Sequence, residues 1–93
     1  MELPVKYNGL DYKTKHIVKQ AYTELQKGLC CHCKEPLIGR PSKAVSSLKI
    51  NTKLFPENFF KYPVHLHHSH ITGLTIGVAH CECNAVLWQY YGE

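Results

Sequence analysis

At 93 residues the chain is long enough for one domain and no more, and a domain that short needs a staple: a disulfide, a metal or an oligomer. Its net charge of +4, from 11 basic against 7 acidic residues, is mildly favourable to a polyanion but singles out no partner. No apolar run approaches the ~20 residues of a membrane span, and MELPVKYNGLDYKTK has no apolar signal core, so a soluble, cytoplasmic protein with no membrane partner is expected.

Residues 1–10, with Pro4 and Asn8-Gly9, read as a tail ending in a turn. Residues 11–27 predict a helix. Ile17, Val18, Ala21, Tyr22 and Leu25 recur at helical spacing as one apolar stripe, Asp11 or Thr14 caps the start, and Gly28 ends it. Lys13, Lys15, Lys19 and Lys27 lie off that stripe and read as a solvated face. Residues 29–38 (LCCHCKEPLI) form a short knuckle. Residues 39–63 are broken by Gly39, Pro41, Pro56 and Pro63 and made basic by Arg40, Lys43, Lys49, Lys53 and Lys61. A short strand near Leu48–Ile50 and a turn near Pro56–Asn58 are the structure they suggest.

Residues 64–68 (VHLHH) alternate as a strand, 69–73 (SHITG) supply a turn, and 74–79 (LTIGVA) suit a second strand with Gly77 as a weak point or bulge. Residues 81–91 predict a helix stopped by Gly92. Its Val86, Leu87, Trp88, Tyr90 and Tyr91 are apolar almost all round, so burial is expected for them rather than stacking on bases. The expected class is small α+β, in the order helix, knuckle, loop, strand, turn, strand, helix.

In a reducing compartment, clustered Cys and His read as metal ligands before they read as disulfides. Cys30-x-x-Cys33 and His80-x-x-Cys83 share one spacing, and residues three apart in a knuckle or a helix's first turn can point at one atom. Together they supply the four N/S ligands of a closed, structural Zn²⁺ site. Cys31, His32 and Cys81 compete, but Cys31-x-Cys33 and Cys81-x-Cys83 are spaced by two, a poor chelate on a helix or knuckle.

The histidines His65, His67, His68 and His70 crowd the first strand and its turn. HLHHSHITG, then TIG, then HCECNAVL, preceded by KGLCCHCKEPL, resembles the HNH (ββα-metal) nucleases, and within them the phage recombination endonuclease VII group. The resemblance covers roughly residues 12–38 and 64–90. It implies a zinc-stapled, treble-clef-like ββα-metal fold with an N-terminal helix, in one endonuclease domain over 1–93, with 64–91 as the catalytic motif. By position it implies His68 as general base, His67 and Asn84 as ligands of a catalytic divalent cation, His70 near the scissile phosphate, and Cys30, Cys33, His80 and Cys83 on zinc. The sequence departs from the pattern in three places. His67 stands where the group uses aspartate, as the His-His pair of the colicin DNases also does. His80 replaces a cysteine. The resolvase's C-terminal dimerisation region lies beyond the resemblance, so junction resolution is not carried over.

The implied activity is metal-dependent hydrolysis of DNA phosphodiesters, by nicking or low-specificity cleavage, in a bacterial or phage-infected cell. The chain is expected as a monomer or weak homodimer. An imidazole with a reference pKa near ~6.5 can accept water's proton at working pH. His67 and His68 project to opposite strand faces, so one can hold the cation while the other meets the water. One nitrogen and one neutral oxygen favour Mn²⁺, Co²⁺ or Ni²⁺ over Mg²⁺. Arg40, Lys43, Lys49 and Lys53 are the expected phosphate contacts, with no base-reading element. The alternative, of a different class, is a zinc module that binds nucleic acid or protein and has lost hydrolysis.

Overall fold

The computed structural model describes residues 2–92. The first helix, α1 (Tyr12–Leu25), begins where the Asp11 carboxylate accepts from the Thr14 N–H at 2.8 Å, as its N-cap role predicts. The chain leaves the helix through Lys27 and Gly28, both at positive φ, and Gly28 N–H closes back on the Thr23 carbonyl. Only part of the predicted stripe is buried. Val18 and Tyr22 enter the core, whereas Ile17 is 55% and Leu25 69% exposed. The reason is that α1 packs on a sheet of only two strands, too narrow to cover a wide apolar face.

The sheet pairs β1 (Val64–His68) with β2 (Thr75–His80), antiparallel, with Val64 opposite His80 and His67 opposite Gly77. The register slips between His67 and His68, because His68 pairs with Thr75 and leaves Ile76 as the extra residue. The connecting turn is built by Ser69, whose hydroxyl accepts from the Ile71 and Thr72 N–H groups, and by Gly73 at φ 75°. The helix that completes the ββα unit, α3 (Cys81–Tyr91), follows β2 without a loop and stops at left-handed Gly92. The order of elements is the one read from the sequence, and the fold is small α+β.

Three readings are corrected. The segment 1–10, read as a tail, is tied down over its described residues 2–10. Val5 exchanges hydrogen bonds with Thr75, and Lys6 bridges Leu74, so this segment covers the free edge of β2. No strand forms near Leu48–Ile50 among the described residues; the loop instead carries a one-turn helix, α2 (Lys43–Ser46), and 3₁₀ turns at Thr52–Leu54 and Phe59–Lys61. Finally, α3 is not buried all round. Val86 is in the core, but Trp88 is 41% and Tyr91 67% exposed. The small body has one core, formed by Val18, Tyr22, Leu37, Val45, Val78, Ala79 and Val86 around Cys30 and Cys83, and it reaches only the inner face of α3. No helix among the described residues is long and apolar enough to cross a membrane.

Candidate functional site

The knuckle is a tight hairpin-like loop. Cys30 N–H donates to the Glu35 carbonyl, Lys34 N–H to Cys30, and Leu37 N–H to Gly28, with Lys34 itself at φ 66°. Cys31 N–H donates to Val78 at 2.9 Å and ties the loop to β2. This brings Cys30 and Cys33 against the junction of β2 and α3, where His80 and Cys83 sit on the first turn. Ligand atoms of Cys30, Cys33, His80 and Cys83 all lie within 4.8 Å of one another. The His80 Nδ1 is 3.4 Å from Cys33 Sγ and 3.7 Å from Cys83 Sγ. A tetrahedral ion with bonds of ~2.3 Å sets its ligands about 3.7 Å apart, so the cluster could hold one metal ion.

The surroundings fit that use. His80 Nε2 lies 2.8 Å from the Pro36 carbonyl, which fixes its proton there and leaves the Nδ1 lone pair facing the sulfurs. His32 N–H points at Cys30 Sγ, a contact that favours a thiolate. Packed this closely, the thiols cannot all ionise without a cation among them. Hydrogen bonds from Cys31 and then Cys83 hold Cys30 down, and the same contact with Cys30 pushes Cys31 and Cys83 up. Cys81, one of the competing candidates, lies outside the cluster, with its thiol on Glu82 and its pKa pushed up to about 12, first by burial. Cys31 and His32 also stand outside the four-residue set.

The histidine strand borders a separate cleft of about 780 Å³. His67, His68, His70 and Asn84 all line it. His67 and Asn84 meet through Nδ1 and Oδ1 at 2.8 Å, and the Asn84 amide donates to His65 Nδ1 at 3.1 Å. Two donor atoms at that separation match adjacent ligands of an octahedral ion, about 3 Å apart for bonds of ~2.1 Å. His68 lies flat on Tyr7, with ring centroids 3.8 Å apart and planes within 7°, and His70 stands 4.9 Å beyond. Lys15 sits over the Tyr7 ring. Burial, and then the neighbouring His70, His67 and Lys15, push the His68 pKa below the ordinary imidazole value. His68 is therefore a neutral acceptor at neutral pH. His67 and His68 thus border one cleft, with the slip in register falling between them where simple alternation predicts opposite faces.

The four basic residues read as phosphate contacts, Arg40, Lys43, Lys49 and Lys53, are exposed and none lines this cleft. Its cations are Lys15 and Lys19 of α1, which read as a solvated face. Lys19 reaches the Val64 carbonyl at 3.0 Å, and burial lowers its pKa. The loop gives the cleft an aromatic wall through Phe55, Phe59 and Tyr62, joined by Trp88. Sequence reasoning also missed Gln26. Its amide accepts from Val78 N–H and donates to the carbonyls of Val78 and Leu29, joining α1, the knuckle and β2. A lone Gln at a helix end carries no signal of such a role.

Comparison with protein-family models, with curated proteins and with solved structures finds no match to this chain.

Proposed function

We propose that the chain is a zinc-stapled, metal-dependent DNA endonuclease of the HNH type. The supporting observation is the convergence of His67, His68, His70 and Asn84 on one cleft, with the His67 and Asn84 donors 2.8 Å apart. Zn²⁺ in the Cys30, Cys33, His80 and Cys83 cluster has no open position, so its work is to hold α3, with Asn84 next to ligand Cys83, against the strands. His67 and Asn84 would hold a second divalent cation, which when bound supplies Lewis-acid charge to the phosphate.

The chain's own residues supply the rest. His68, kept neutral by burial and stacked on Tyr7, takes the proton of an attacking water at an imidazole nitrogen. Its ring is oriented before substrate arrives, which lowers the cost of a near-attack geometry. His70, beside His68, and Lys15, over Tyr7, both line the cleft and offer positive or hydrogen-bonding groups to the phosphate. His67 offers either an Nδ1 proton to Asn84 or, with the proton on Nε2, a lone pair to the cation.

One observation favours the alternative, a non-hydrolytic zinc module: the Asn84 amide bridges His65 and His67, which gives the pair a structural use. A plasmid-nicking assay across divalent cations separates the two. The nuclease reading expects nicking that requires an added cation and is faster with Mn²⁺ than with Mg²⁺ at equal free concentration. Equal or better support by Mg²⁺ would remove the His67–Asn84 ligand assignment. No nicking with any cation would favour the module.

A further inference from the structure

The cleft has two unlike ends. At one, Lys15, Tyr7 and His68 stack in succession. At the other, Phe55, Phe59 and Trp88 form a mutually braced aromatic wall, with Phe55 4.5 Å from Phe59 and 5.7 Å from Trp88. The two ends are joined at His65, because the Phe59 ring meets His65 edge-on at 4.5 Å and His65 accepts from Asn84. The wall is not sealed: Trp88 is 41% exposed, and Phe55 and Phe59 are only partly buried. These mutually braced rings stay partly solvated next to a cationic, histidine-lined end, and the described residues cover them only in part.

A duplex offers this wall nothing. Its bases hide their faces in the stack, and its outer surface is met by Lys and Arg, whereas among the described residues the lysines and arginines lining the cleft are Lys15 and Lys19 alone. A volume of about 780 Å³ is that of a small-ligand site. That is room for an unstacked base and its sugar, not for a turn of double helix. An unpaired strand complements both ends, phosphate toward Lys15 and base against the rings.

Resting on the nuclease reading of the same cleft, we infer that its substrate is single-stranded DNA, with the base beside the scissile phosphate stacked on Phe55 and Trp88. The probe is a short mixed-sequence DNA oligonucleotide, alone or annealed to its complement, or its RNA counterpart, titrated against the zinc-loaded His68→Ala protein without added catalytic cation. Trp88 fluorescence and anisotropy are read at one fixed salt concentration.

The single DNA strand should bind at least tenfold more tightly than the duplex and quench Trp88. Phe55→Ala should weaken single-strand binding by about 5- to 150-fold, the usual range for one lost base stack, and leave duplex binding unchanged. Should Phe55→Ala not fold, Phe55→Leu keeps the volume, removes the ring and should show the same direction. Duplex bound as tightly as the single strand, tighter binding of RNA than of DNA, or single-strand affinity unmoved in the folded variant would overturn the inference. Cation-dependent nicking without strand preference would retain the nuclease reading and sink this one. Strand preference without cleavage would do the reverse.

Discussion

Gly77 is a position where a side chain would crowd its neighbours, although its backbone is ordinary. A Cβ built there would come within 2.6 Å of Gln26 Oε1, 3.1 Å of Cys31 Cβ and 3.4 Å of Cys31 Sγ. The Gln26 oxygen is the end of a flexible chain, but three hydrogen bonds tether that amide, at 2.9 Å to Val78 N–H, 2.9 Å to Val78 O and 2.7 Å to Leu29 O. Moving Oε1 strands the fully buried Val78 N–H, at about 1–3 kcal/mol. Replacing glycine in a strand returns roughly 0.5–1 kcal/mol. Gly77→Ala should therefore destabilise the zinc-loaded protein by about 1–2 kcal/mol, a Tm loss of roughly 4–16 °C in a chain of this size. Denaturation followed by circular dichroism at fixed free zinc measures it. In a Gln26→Ala background the nearest obstruction is gone and only the Cys31 contacts remain, so the same change should cost at least ~1 kcal/mol less. Wild-type stability in Gly77→Ala, or equal cost in both backgrounds, would refute the steric reasoning.

Metal analysis should find about one zinc per chain in the wild type and in Cys81→Ala, while Cys83→Ala loses it along with cooperative unfolding, since a site of this kind is folding free energy. Zinc retained in Cys83→Ala but lost in Cys81→Ala would reverse the ligand assignment. The pH dependence follows from His68. Burial and nearby histidines depress its pKa, so the neutral, proton-accepting form persists below the ordinary ~6.5 and is lost only as pH falls further. A bound cation beside it pushes the same way. The acid limb of single-turnover nicking should have its midpoint below ~6.5; an acid midpoint above ~6.5 would contradict this environment.

The parts legible in the sequence were those with a local physical signature. Matched Cys/His spacings named the four residues that cluster, and period-2 and turn signals found both strands and the turn at Gly73. The helix starting at Cys81 was equally plain. What stayed hidden depends on where the chain returns in space. Val5 reaches Thr75, and Gln26 reaches Val78, across separations that leave no periodic trace. The exposure of Trp88 and Tyr91 follows from how little core a two-stranded sheet provides, which apolar count along α3 does not reveal. The loop's lysines drew attention by their charge, yet it is the loop's phenylalanines that border the histidines.

The central claim is that His68 activates water against a phosphodiester. It is tested by the rate of plasmid nicking in Mn²⁺ for wild type and His68→Ala, at equal zinc content and equal thermal stability. General-base catalysis contributes about 10²–10⁴-fold, so the variant should retain no more than ~1% of the rate while staying folded. Nicking by His68→Ala at the wild-type rate would contradict the assignment of the base.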